Sequence, residues 1–365
     1  LLDIFNALPE YRRSDKPATR SRLQRASVES GTKSSGEKSR MNLITRRALL
    51  ATAAAFAAAF AVAPAARAQS SAMTILVPYP PGGSTDALAR LLQPALQERL
   101  KRNVVVENRV GGAAGAVGSA HVAKSPPDGS IFLITFDAHA VMPAIIEKPP
   151  LDIETDLVPV FLFGTAPYVI AANAEKPYKT IGDVIEASRK QPGAVTYASV
   201  GVGTLGHLAM TVIGKRSGVE ITHVPYRGGG PAMNDALGGH VDLIAGSAAL
   251  ITPQLEGGKL RPILQTGRER LPALKDTPTA IEAGFENFEA LAWWGLFAPK
   301  GTPADVTAPV ESAIRTIMSD PAVMKRLQES QQMTLTLGGP AEMGAFLAKQ
   351  VKLWGQVVRE NSIRP

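Results

Sequence analysis

The sequence predicts an α/β protein with a mainly parallel sheet, built in two parts. Three observations carry that prediction. Short continuous apolar runs, such as Met73–Val77 and Ile131–Phe136, read as strands buried on both faces. Each run is followed by a turn and a helix, in the order β-α-β-α-β. The 297 residues beyond Ala68 suit two domains of about 150 residues each.

The first turn, Val77–Asp86 (VPYPPGGSTD), is the one around which the chain is organised. Pro78, Pro80 and Pro81 stiffen it, and Gly82 and Gly83 permit close approach to its backbone. Ser84, Thr85 or Asp86 can cap the next helix, whose N-terminus then offers free N–H groups to an anion. An ordinary βα turn uses the same residues. Leu88, Leu91, Leu92, Ala95, Leu96 and Leu100 form one helical face, which Pro94 is expected to kink or split. Asn103–Glu107 is the next strand, Asn108–Gly118 a second glycine-rich turn, and Ser119–Lys124 a helix. Asp137 and His139 come after the third strand, at the carboxyl end where open α/β sheets bind ligands. They read either as site residues or as a cap and a surface histidine.

Leu157–Ala171 reads as two short strands around Gly164, a first crossing between the parts. Thr180 caps a helix with Asp183 in its first turn. The strand Val195–Val200 leads to a glycine turn, Gly201–Gly206, and a helix over Leu205–Arg216. The strand Glu220–Pro225 leads to another such turn, Tyr226–Pro231, then a helix, Ala232–Gly238, and an apolar run, Val241–Ile244. Trp293–Leu296 lies near a second crossing. Thr302 reads as an N-cap with Pro303 at the first helical position. Met343, Phe346, Leu347, Val351, Trp354 and Val358 form the apolar stripe of the last helix.

Residues 1–40 are polar and aperiodic, the composition of a disordered leader or a mis-called start. Residues 41–68 read as a signal peptide, with Arg46 and Arg47 ahead of an alanine-rich run and Ala66-Arg67-Ala68 as the cleavage signal. This places the mature chain in the periplasm, by the Sec route in preference to the twin-arginine route. The net charge of +7 belongs to this region, which holds 12 of the 39 basic and 5 of the 32 acidic residues. The remainder is balanced, with 27 of each, so no global field favours nucleic acid or membrane. With no cysteine, an exported fold rests on its core alone.

Gly201, Gly203 and Gly206 match the dinucleotide fingerprint, but no acidic residue ends the next strand; Arg227 stands there instead. No nucleophile elbow, P-loop or paired-histidine metal motif is present, and no cofactor or metal is expected. Anion-ready turns without a catalytic set favour binding over turnover, so the chain does not read as an enzyme.

Taken together, VPYPPGGSTDALAR, VENRVGGAAGAVG, SPPDG, YASVGVGTLGHLA, HVPYRGGGPA, ALGGHVD and FAPKGTP resemble, in order, the periplasmic receptors of tripartite tricarboxylate transporters, the Bug family. The resemblance runs from about Met73 to Ile363. It implies a two-lobed periplasmic binding protein of the type II, flytrap class. One lobe would be residues 73–170 and 296–365, the other 171–295. The implied ligand is a small carboxylate: a di- or tricarboxylate, an acidic amino acid or an aromatic acid. The implied partner is a two-component membrane permease. Carried over residue by residue, the ligand contacts are Tyr79, Pro81, Gly82, Gly83, Ser84, Thr85, Asp86, Ser199, Gly203, Thr204, His207 and Tyr226. Asp137, His139, Ala248 and Trp294 are the candidates for specificity. The sequence departs from the family at Val202, where a polar residue usually stands between the glycines; this favours a ligand with an apolar body. Two other readings stay open, an exported NADP-binding oxidoreductase and an adaptor for a sensor kinase.

Overall fold

The fold is built on one long strand that serves two sets of neighbours. The computed structural model describes residues 72–363; the leader and signal-peptide readings lie outside the described residues. The strands are β1 (Met73–Val77), β2 (Val104–Asn108), β3 (Ile131–Phe136), β4 (Leu157–Asn173), β5 (Thr196–Ser199), β6 (Thr222–Pro225), β7 (Leu243–Ser247), β8 (Leu260–Gln265), β9 (Leu291–Pro299) and β10 (Thr334–Gly338). The helices are α1 (Ser84–Leu100), α2 (Ala116–Ala123), α3 (Ala138–Ile145), α4 (Ile181–Lys190), α5 (Leu205–Ser217), α6 (Gly229–Leu237), α7 (Ala248–Leu255), α8 (Ala304–Met318), α9 (Pro321–Gln331) and α10 (Pro340–Glu360).

The main strand order is β2-β1-β3-β9-β4-β7-β5-β6, with β8 and β10 also paired to β4. The outer strands are parallel, as their continuous apolar runs predict: β1 with β2 and β3, and β5 with β6 and β7. The middle is antiparallel, because β9 lies between β3 and β4 and runs against both. The sheet is therefore mixed. Leu157–Pro167 of β4 pairs with β9, whereas Tyr168–Asn173 pairs with β7 and β8. Gly164 does not end this strand, as the sequence suggested. It marks a register shift, and Thr334 and Met333 press so closely on it that a side chain has no room.

Three local expectations are corrected. Pro94 sits inside a continuous α1. It faces solvent, where water can satisfy the carbonyl that loses its partner. Thr302 does not cap α8; its hydroxyl donates to Pro299 O (2.7 Å), and Pro303 takes the cap position. None of Ser84, Thr85 and Asp86 caps α1, because the N-cap is Gly83. Thr180 does cap α4, with Asp183 closing a reciprocal capping box.

Both faces of the sheet are covered. Fully buried Trp293, Trp294, Phe132, Phe161 and Phe297 anchor the core around β3, β4 and β9. A smaller apolar cluster lies around Ala232, Ile244 and Ile251 on α6, β7 and α7. Among the described residues, no helix is long and apolar enough to cross a membrane.

Candidate functional site

Three helix N-termini meet at one place. α1 begins after Gly83, α6 after Gly228 and α7 after Ser247, and none of the three is capped by its own side chain. Their first residues, Ser84, Thr85, Gly228, Gly229 and Ser247, line a common cavity of about 20 Å³, room for little more than one small polar group. The close approach depends on glycine. A Cβ on Gly228 would fall 2.6 Å from Pro80, and its φ of 149° disfavours any other residue. Thr85 is 3% exposed and lines the cavity. The Ser247 hydroxyl lies 3.4 Å from that of Ser84. The uncapped first turns and the dipoles of three helices suit this cavity to one negative group.

Asp86 also lines the cavity, but its carboxylate is engaged. It accepts from Gly82 N (3.0 Å), Arg90 Nε (3.0 Å) and Asn108 Nδ2 (2.9 Å). Burial opposes its ionisation, yet the bonds from Arg90, Gly82 and Asn108 outweigh burial and hold it below the usual carboxylate range. Asn108 also donates to Tyr79 O (3.0 Å), so this cluster fixes the shape of the proline–glycine loop. Tyr79 packs edge-on against Phe136, and its hydroxyl bonds Thr135 (2.8 Å). Pro81 and Gly82 face solvent.

A larger groove of about 560 Å³ adjoins the cavity, sharing Tyr79 and Val200 with it. Its walls include Val110, Ala113, Ala138, Val202, Thr204 and Tyr226, and among the described residues Arg227 is the cation lining it. The Tyr226 hydroxyl donates to Asp235 (2.6 Å).

The second glycine turn is arranged differently. The Thr204 hydroxyl donates to Gly201 O (2.8 Å), and Gly203 N donates to His207 Nδ1 (3.3 Å). His207 stacks on His223 at 4.0 Å, and His223 on Tyr197 at 4.9 Å. Burial lowers the His207 pKa to about 4; burial and then the neighbouring His207 lower that of His223 to about 3. Both rings are neutral near pH 7. The two histidines, 16 positions apart, read as isolated in the sequence. His223 Nε2 lies 2.7 Å from Ser199 Oγ, a hydroxyl that also faces Gly201 O (3.0 Å) and Gly201 N (3.2 Å). These bonds serve the turn.

The specificity candidates are all buried. Asp137 and His139 are fully buried, so His139 is not the surface histidine the sequence allowed. Asp137 makes no cap bond to its own helix, α3. It accepts instead from Leu205 N (3.3 Å), at the start of α5, and from the Tyr168 hydroxyl (2.9 Å). His139 lies against Phe297, and neither ring nitrogen has a partner; burial lowers its pKa to about 3. Ala248 opens α7 beside the cavity, and Trp294 is a core residue of β9. Sequence reasoning missed Ser247. A serine between an apolar strand and an apolar helix was its only signal. Among the described residues, no cluster of three or more acidic or histidine side chains could hold a metal ion.

The family model of the tripartite tricarboxylate transporter family receptor matches residues 88–363. The chain belongs to this family, the periplasmic receptors that include the Bug proteins. A relative from Pseudomonas sp. (strain P51), a UPF0065 protein in the tcbD-tcbE intergenic region, is 36% identical over 80% of this chain and 86% of its own length. The solved periplasmic binding protein BugD is 30% identical, with a TM-score of 0.77 over 81% of this chain and 99% of BugD. Rpa4515 of R. palustris, solved with adipate, is 29% identical, also with a TM-score of 0.77, over 81% of this chain and 99% of its own. The α/β fold is that of periplasmic binding proteins, as the sequence resemblance implied.

Proposed function

We propose that this receptor captures a small carboxylate with its head at the α1, α6 and α7 N-termini and its body in the adjoining groove. The observation that carries this is the convergence of three uncapped helix ends on one cavity, which Thr85 also lines. The groove's valines and alanines suit an apolar body. The adipate bound to Rpa4515 supports a carboxylate as the ligand class. Tyr79, Gly83, Ser84, Thr85 and Ser247 then surround the head, while Val202, Thr204 and Tyr226 face the body. The role is delivery to the permease of a tripartite tricarboxylate transporter after export and cleavage behind Ala68, with no chemistry on the ligand.

Capture uses a flytrap motion of two lobes, residues 73–170 with 296–365 and residues 171–295. The change of partners along β4 supports this division. The dinucleotide reading of Gly201–Gly206 loses ground, because the α5 N-terminus that would hold a pyrophosphate faces the Asp137 carboxylate. The relatives lend no support to a sensor-kinase adaptor.

Thermal-shift screening against mono-, di- and tricarboxylates tests the reading. A ligand at 100 times its Kd stabilises the native state by about 2.7 kcal/mol, a rise of several degrees in Tm. A flat response across the panel, with calorimetry equally silent, overturns it.

A further inference from the structure

We propose that the Asp137 carboxylate is a resident occupant of the α5 N-terminus and a determinant of specificity. It denies that helix end to a second carboxylate and reserves the groove beside Val202 for the uncharged part of the ligand. The inference rests on the carboxylate-receptor reading and deepens it.

The four helix starts near the site differ in occupancy. At α6 and α7 no acidic residue stands in the first turn, and at α1 the Asp86 carboxylate is spent on Gly82 N, Arg90 and Asn108. At α5, whose own N-cap residue Thr204 makes no side-chain cap bond, Leu205 N donates to Asp137 Oδ1 at 3.3 Å. The Tyr168 hydroxyl donates to Oδ2 at 2.9 Å, which orients the carboxylate toward the helix. This is the arrangement a bound anion would adopt, supplied here by the chain itself. Ala138 and Thr204, the chain neighbours of Asp137 and Leu205, both line the groove. A second carboxylate lying against Val202 would therefore meet a like charge and a helix end whose first N–H is already taken. Arg227 is a cation on the groove's wall.

The ionisable groups around Asp137 are few. Tyr168 approaches from β4 and Tyr79 from the β1–α1 loop; His139 lies two residues along α3, and His207 two residues beyond Leu205 on α5. No lysine or arginine among the described residues is bonded to it. Burial pushes the Asp137 carboxyl up to about 7, against the bonds from Tyr168 and Leu205, so its charge varies across the neutral range.

The test compares hexanoate with adipate, probes of equal length that differ by one carboxylate, on the full mature chain. The wild type and Asp137→Asn, which keeps the shape without the charge, are measured by calorimetry at pH 6 and pH 8. The adipate-to-hexanoate affinity ratio at pH 8 is expected to rise at least fivefold in Asp137→Asn. In the wild type the same ratio is expected to rise as pH falls from 8 to 6, and in the variant to stay flat. Titration of adipate itself is common to both proteins, and the wild-type pH arm needs no variant. An unchanged ratio in both arms, with the probes still binding, overturns this inference alone. Failure of both probes to bind either protein overturns the carboxylate reading and this inference with it. A thermal readout adds an arm without ligand. The Tm of Asp137→Asn relative to wild type is expected to climb from pH 5 to pH 8, because a carboxyl whose folded pKa is raised loses its stabilising contribution as pH rises through that pKa. Parallel curves would overturn the placement of an ionising carboxylate at α5.

Discussion

The turns that begin α5 and α6 are written in the same way and end in opposite states. Each follows a strand of the same parallel pair, β5 and β6, and each uses a positive-φ glycine where another part of the fold presses in. At α5 the intruder is Ile145 against Gly203, and the Asp137 carboxylate accompanies it. At α6 it is Pro80 against Gly228, and the glycine loop of α1 accompanies it. One helix end is thus neutralised from within, and the other is left with its donors facing a cavity. The difference teaches that a glycine-rich helix start is only half of an anion site. The part of the fold brought against it decides whether the site is open.

The largest effect is expected where that open end depends on a missing side chain. Gly228→Val places a branched Cβ against Pro80 and a strained φ at the N-cap. Carboxylate affinity should fall at least 100-fold, about 2.7 kcal/mol. Folding should survive, since the turn can move away from the α1 loop. Calorimetry beside a melting curve separates the two effects. Affinity and apo stability lost in equal measure would return the α6 turn to a purely structural role.

Removing one donor should cost less. Thr85→Val keeps the shape of a buried side chain that lines the cavity and deletes its hydroxyl. Binding is expected to weaken about tenfold, the cost of one hydrogen bond to a charged group, with apo Tm nearly unchanged. Binding as tight as wild type would mean that the helix N–H groups hold the head alone.

The α5 turn should declare its different character in acid. His207 and His223 are stacked and neutral, with folded pKa values of about 4 and about 3, below the unfolded value near 6.5. Their contribution to stability is therefore fully present above pH 6.5 and is lost as pH falls toward 4. His207 is buried and His223 half-buried, and a loss of roughly 1 kcal/mol is about 2–4 °C in Tm. His223→Phe should flatten that decline between pH 6.5 and pH 4. The slope is read as a difference between variant and wild type, because buried His139 titrates with the same sign and Asp137 with the opposite one. A decline of the same steepness in the variant would place the acid-sensitive groups elsewhere.

Local chemistry explains which features the sequence made legible. β1 and β3 have the predicted bounds, since a buried parallel strand between turn residues is a complete local signal. The proline–glycine loop was legible for the same reason, and so was the capping box of α4. The pairing of Asp137 with Leu205 was not, because it joins residues 68 positions apart and no local pattern encodes it. The histidine stack was hidden likewise. Ser247 was missed because the strand before it and the helix after it are both apolar, so neither periodicity nor composition marks the boundary. Thus the α1 and α6 turns of the proposed head site were legible in the sequence, whereas the Asp137 contact that sets the α5 turn apart was not.

The smallest expected change tests the groove that joins the two regions. Val202 is half-buried on the groove wall at the α5 turn. Beside a neutralised helix end, an apolar wall has nothing to offer a charge and something to offer a hydrocarbon. Covering about 40 Å² of apolar surface contributes roughly 1 kcal/mol. Val202→Asn should therefore weaken hexanoate binding about three- to fivefold and leave acetate, too short to reach the wall, unaffected. Titration of both acids into both proteins reads the difference. If acetate and hexanoate weakened together, Val202 would act through the turn's backbone, and the division between a charged head site and an apolar groove would fail at this residue.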